Sequence, residues 1–114
     1  LLPHIITFNA YLLRIRNGEY ALAAKKYQRM AKVLDLPAPS VRLGVTNLLR
    51  EVERLNRTLK IPASLKEWGA EPSKVKELRG EIVSAALADA TTATNPRPAA
   101  AEHVEALLNK VMGG

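Results

Sequence analysis

An all-α domain is the fold this sequence predicts, and three observations carry that expectation. Apolar residues recur at three- and four-residue spacing almost throughout. Leucine, alanine, lysine, arginine and glutamate dominate, while aromatics are 4% of the chain and strand-like alternation is scarce. Short stretches with proline and glycine divide the chain into about five helices, a helical bundle with short connections.

The first helix is expected over residues 1–16. Ile5, Phe8, Leu12 and Ile15 mark one face, and Ile6 and Leu13 add a second. A helix apolar on two sides is buried or covered by a partner. Pro3 suits a first turn, and Asn17-Gly18 is a stop signal because both residues tolerate the left-handed conformation. The second helix is expected over residues 19–35, with Tyr20, Ala23, Ala24, Tyr27, Met30, Ala31 and Leu34 inside. Pro37 and Pro39 end it, since a residue before proline is pushed out of the helical region.

The third helix, residues 40–60, carries the clearest pattern. Val41, Val45, Leu48, Val52, Leu55 and Leu59 alternate steps of four and three, a narrow seam that packs along another helix. Glu53 and Arg57 sit one turn apart in the favourable order, worth roughly 0.3 kcal/mol. Ser64 is expected to cap a short turn through Lys66 and Trp68, closed by Gly69. A fourth helix starts at Pro72, which suits a first helical position. Val75, Leu78, Ile82, Ala85 and Ala86 face inward, and Gly80 costs about 1 kcal/mol relative to alanine unless backbone approaches it closely. This helix ends in the run Thr91–Thr94. Residues 95–98 form a loop. The last helix spans residues 100–112 with Val104, Leu107, Leu108 and Val111 inside, and Gly113-Gly114 frees its end.

At 114 residues the chain is the size of one domain, and residues 1–114 are expected to form one all-helical unit. A hydrophobic fraction of 47% excludes a disordered chain. No run is long enough to span a membrane, and no basic-then-apolar leader is visible, so the expected compartment is the cytoplasm. The first residue is Leu1 rather than methionine, so a fragment or a processed chain is the expectation. The absence of cysteine excludes disulfides, thiol catalysis and cysteine-bound zinc.

The net charge of +6 is spread over Arg14, Arg16, Lys25, Lys26, Arg50, Arg54, Lys74 and Lys76, among others, and glutamates interrupt most of these groups. A nucleic-acid module concentrates charge on one stripe and interleaves aromatics, so solvated helix faces are favoured. Chemistry is thin. His4 and His103 lie near opposite ends without metal-ligand spacing, so neither is assigned to a metal. No glycine spacing fits a phosphate loop. Ser40, Ser64, Ser73 and Ser84 read as caps or helix surface, and none lies in a nucleophile elbow.

Two stretches carry a resemblance. Leu1-Leu2-Pro3-His4-Ile5-Ile6-Thr7-Phe8-Asn9-Ala10 opens the chain, and the helix from Pro72 to Ala90 leads into Asn95-Pro96-Arg97. In this order they resemble the C-terminal helical domain of the iron-containing alcohol dehydrogenases, which have the dehydroquinate synthase-like fold. The resemblance implies a two-domain parent. An N-terminal α/β domain would bind NAD or NADP, and the helical domain would hold a divalent metal, iron or zinc, through one aspartate and three histidines. The last ligand histidine of that family lies in a Pro-His-Gly motif just upstream of the stretch matched by Leu1 to Ala10. His4 matches a later, non-ligand position, so metal binding is not transferred to it.

By the same resemblance Thr91 and Thr92 are candidates for the wall of the substrate pocket. Asn95, Pro96 and Arg97 form a structural loop, with Arg97 pinning it. Members of the family place threonine where Ala100 stands and aspartate where His103 stands, a capping pair. Alanine has no acceptor, so that helix start is expected to lose about 1 kcal/mol. The implied parent reaction is reversible hydride transfer between an alcohol and an aldehyde or ketone, with the metal acting as a Lewis acid and the nucleotide carrying the hydride. This chain is expected to bind no cofactor by itself and to be inactive alone. Its expected partners are the upstream nucleotide- and metal-binding portion of the same enzyme and further copies of itself. No membrane partner is expected and nucleic acid is disfavoured. The alternatives are a small basic helical module that binds nucleic acid through Arg42, Arg50, Arg54 and Arg57, and a protein-interaction module using the seam from Val41 to Leu59.

Overall fold

The computed structural model describes residues 1–13 and 18–113. Among these residues the regular structure is helical, with no β-strand. The seven helices are α1 (Leu2–Ala10), α2 (Leu22–Val33), α3 (Val41–Thr58), α4 (Leu65–Trp68), α5 (Pro72–Glu77), α6 (Arg79–Ala88) and α7 (Ala101–Met112). A 3₁₀ turn spans Thr92–Thr94. The all-α expectation is met. The chain divides into two compact units, one from Leu2 to Leu59 and one from Lys60 onward.

In the N-terminal unit α1 is shorter than its apolar pattern predicts. It stops at Ala10, and Tyr11 turns left-handed with φ 48°. Such a backbone costs about 1–2 kcal/mol for an L-residue. Two interactions offset it: Leu12 joins the core, and its carbonyl accepts a 3.0 Å hydrogen bond from the Arg42 guanidinium. Leu13, expected on an inner face, is instead 96% exposed. Ile15 and Asn17, expected to continue and stop this helix, lie outside the described residues, as do Arg14, Arg16 and Gly114.

Small residues bring α2 and α3 together. Ala24 and Ala31 share one face of α2 and are fully buried. Opposite them on α3 are Gly44, Val45 and Leu48. A Cβ placed on Gly44 would come within 2.9 Å of the Gln28 Cα, so glycine is needed for the two backbones to approach this closely. Ile6 and Ala10 of α1 complete the core with Ala24 and Val45, while Tyr20, Tyr27, Val41, Leu49 and Val52 pack around it. Met30, Leu34, Leu55 and Leu59, read as inward, are about half exposed or more.

The ends of these helices are specified locally. Helix α2 closes with Asp35 left-handed (φ 59°). The Leu36 amide donates to the Ala31 carbonyl at 2.9 Å and the Asp35 amide to Lys32 at 3.1 Å, a Schellman arrangement. Ser40 caps α3, its hydroxyl accepting from the Leu43 amide at 3.1 Å. The i,i+4 pair expected at Glu53 and Arg57 is not formed. Arg54 grips Glu51 instead, through a two-point carboxylate contact three residues away.

In the C-terminal unit the short turn forms as predicted. Ser64 accepts from the Glu67 amide at 3.1 Å, Glu67 accepts from the Ala63 amide at 2.9 Å, and Gly69 closes α4 at φ 114°. Pro72 begins α5, but the helix expected to run on from it is broken at Leu78 (φ −91°, ψ 4°). Across the break the inward stripe continues, and Val75, Ile82 and Ala86 are partly buried as expected. Val83 is the buried residue of α6, whereas Leu78 and Ala85 face solvent. Helix α6 ends at Ala88 rather than in the threonine run. At the end of α7, Gly113 is left-handed (φ 91°), and a Cβ there would lie 2.7 Å from that of Ser64. Gly113 therefore seats the helix end against the α4 cap rather than freeing it.

Candidate functional site

The residues between α6 and α7 are the candidate site, and Asp89 organises them. Leaving the helix in extended geometry, its carboxylate accepts from the Thr91 amide at 2.8 Å and the Thr91 hydroxyl at 2.5 Å. These two bonds hold its carboxyl below the usual aspartate range. A carboxylate so held is a weak base, so the Thr91 hydroxyl is oriented but not activated as a nucleophile.

Thr92 is tied back to the helix. Its hydroxyl donates to the Ala86 carbonyl at 2.6 Å, reaching back into the last turn of α6, and its side chain is partly buried. The Thr94 hydroxyl donates to the Thr91 carbonyl at 3.0 Å. Asn95 then donates from its carboxamide to the Arg97 carbonyl at 2.6 Å, closing the Asn-Pro-Arg loop over two residues. Thr91, Thr92, Asn95, Pro96 and Arg97 thus form one continuous hydrogen-bonded turn. Thr91 and Pro96 are exposed, while Asn95 and Arg97 are partly buried.

The two histidines do different things. His4 is partly buried on α1. His103 sits at the third position of α7, where its Nδ1 accepts from the Ala100 amide at 3.0 Å. That is one half of a capping pair, made by an imidazole. The Ala100 methyl cannot make the other half, so the expected loss at this helix start is partial rather than complete. This role of His103 is absent from the sequence expectations, which weigh it only as a metal ligand, although its position three residues after the cap is legible. Among the described residues no group of three or more His, Cys, Asp or Glu side chains could hold a metal ion. The donors among the described residues do not fit the metal that the resemblance implies.

Two of the four arginines of the alternative basic surface on α3 are engaged within the chain. Arg42 bonds the Leu12 carbonyl and lies 6.0 Å from the Tyr20 ring centroid, and Arg54 is paired with Glu51. The seam that begins at Val41 is likewise used internally as far as Val52. Val45 and Leu48 are buried, and Val41 and Val52 pack on the core. Among the described residues no helix is long and apolar enough to cross a membrane.

Residues 1–112 match the Fe-containing alcohol dehydrogenase family, C-terminal part. The chain is similar to the 1-propanol dehydrogenase PduQ of Salmonella typhimurium, at 34% identity over 98% of this chain and 29% of that protein. An NADPH-dependent butanol dehydrogenase of Clostridium saccharobutylicum is 30% identical over 84% of this chain and 22% of its own length. An aldehyde-alcohol dehydrogenase of Streptococcus pneumoniae is 27% identical over all of this chain and 13% of its own length. The chain therefore spans less than a third of each of these relatives.

Proposed function

We propose a function from one premise: the chain belongs to the iron-containing alcohol dehydrogenase family, as its C-terminal part. In that reading it forms a wall of the cleft in which an alcohol and an aldehyde or ketone are interconverted with NAD or NADP. The observation that carries it is the family match over residues 1–112. The turn from Asp89 to Arg97 is the part of the chain proposed to face substrate. Thr91 and Thr92 would supply the wall, and the Asn95 carboxamide would keep the loop from collapsing onto it.

The metal and the nucleotide are proposed to be held by other parts of such an enzyme, because the described residues here include no ligand set. No step of the reaction is assigned to residues of this chain. The chain's own part is to shape and orient, and alone it is proposed to be inactive. The proposed partner is the nucleotide- and metal-binding portion of the same enzyme, with self-association alongside. The proposed compartment is the cytoplasm.

The test has two arms. The purified chain, supplied with NAD⁺ or NADP⁺ and propan-1-ol or butan-1-ol, is expected to show no turnover above buffer, and turnover would overturn the proposal of inactivity. In an enzyme carrying this chain as its C-terminal part, Thr92→Val is expected to raise KM for the alcohol several-fold while leaving the nucleotide KM unchanged. Unchanged alcohol kinetics would remove Thr92 from the wall.

A further inference from the structure

A groove in the C-terminal unit, away from the Asp89 turn, combines features that the cleft-wall reading does not use. It has a volume of about 420 Å³, within the range of small-molecule sites. Val75, Leu108 and Met112 give it an apolar lining. Lys76, Arg79 and Asn109 supply its polar groups, and no carboxylate lines it. Arg79 is the centre of the arrangement. One of its terminal nitrogens donates to the Asn109 side-chain oxygen, which fixes the guanidinium across α6 and α7. Its Nε is buried without a hydrogen-bond partner. A buried unsatisfied donor costs about 1–3 kcal/mol, and more on a charged group. An acceptor that reached it would recover that loss.

We propose that this groove binds a small carboxylate with a short unbranched apolar tail. The guanidinium is the natural partner of a planar carboxylate, and charge-assisted bonds to it are roughly twice as strong as neutral ones. Lys76 adds a second positive charge at the same groove. Val75, Leu108 and Met112 accept the tail, and the flexible thioether of Met112 adapts to its length. A neutral alcohol of the same length would gain the apolar contacts but not the charge. Acetate would gain the charge but almost no apolar contact. Both halves of the groove are therefore required for tight binding.

The experiment is a titration of the ¹⁵N-labelled chain with hexanoate, hexan-1-ol and acetate, followed residue by residue by NMR. Hexanoate is expected to give saturable shifts centred on Arg79, Asn109 and Leu108, with an affinity at least about tenfold above hexan-1-ol or acetate. Arg79→Met is expected to abolish that preference, and Arg79→Lys to retain part of it, with helical circular dichroism confirming the fold of both variants. Equal affinity for hexanoate and hexan-1-ol would overturn the proposal, because the groove would then be only an apolar recess. Shifts that never saturate, or that survive Arg79→Met, would overturn it equally. The three-ligand comparison on the parent chain decides the matter even where a variant fails to fold. It is also independent of dehydrogenase activity, so failure here leaves the cleft-wall reading standing.

Discussion

Replacing Gly44 by alanine tests the packing argument for the N-terminal unit most directly. The added methyl would lie 2.9 Å from both the Cα and the Cγ of Gln28, and 3.1 Å from its Cβ. Carbon atoms in contact settle at about 3.5–4.0 Å. The side chain of Gln28 is able to swing aside, but its Cα moves only with α2. Relief therefore requires the two helices to part by roughly 0.6 Å or more, which loosens the contacts of Ala24, Ala31, Val45 and Leu48. Overpacking of this kind costs about 1–3 kcal/mol, and a backbone clash puts it near the upper end. Alanine returns about 1 kcal/mol through helix propensity, leaving a net loss of about 2 kcal/mol. Gly80 is the internal control. It is helical, and a Cβ there meets nothing within 4 Å, so Gly80→Ala is expected to gain about 1 kcal/mol. Urea unfolding followed by circular dichroism measures both. A Gly44→Ala chain as stable as the parent would refute the reasoning, since propensity would then have decided the sign at both positions.

Three further outcomes are expected. The Asp89 carboxyl titrates below its unfolded value, so its contribution is complete above the ordinary aspartate range and fades as pH falls through the lowered value. Asp89→Asn should flatten the acid limb of a stability-versus-pH curve, and an unchanged limb would remove Asp89 from the account. His103→Ala removes the acceptor of the Ala100 amide and should destabilise α7 by about 0.5–1 kcal/mol, read as a lowered urea midpoint. Ala100→Ser should instead add about 1 kcal/mol by supplying the missing half of the capping pair, and a neutral result would show that the half made by His103 already suffices.

The all-α fold was legible because the apolar spacing of α2, α3 and α7 is helical over several turns and because Ser40, Ser64, Gly69 and Pro72 mark ends by local chemistry. What escaped the sequence was tertiary. The end of α1 depends on Arg42, thirty residues away, reaching the Leu12 carbonyl. The division of the helix after Pro72 at Leu78 is announced by no proline. Gly44 reads as an ordinary weak point in a helix, and only the proximity of Gln28 gives it a purpose. In the candidate site the residue types were visible and their organiser was not. Asp89 falls within the helix expected from Pro72 to Ala90, whereas its carboxylate sets the threonine turn. The imidazole cap of α7 was missed because histidine was weighed as a metal ligand and not as an acceptor.

Val83 is the buried apolar side chain of the C-terminal unit among the described residues, whereas the N-terminal unit has seven: Ile6, Ala10, Ala24, Ala31, Ala38, Val45 and Leu48. Resistance to local opening follows burial. Amide protons of α5 to α7 should therefore exchange with deuterium well before those of α2 and α3, and a protease should nick the chain first beyond Lys60. The half of the molecule that carries the threonine turn is also the half with the least to keep it shut.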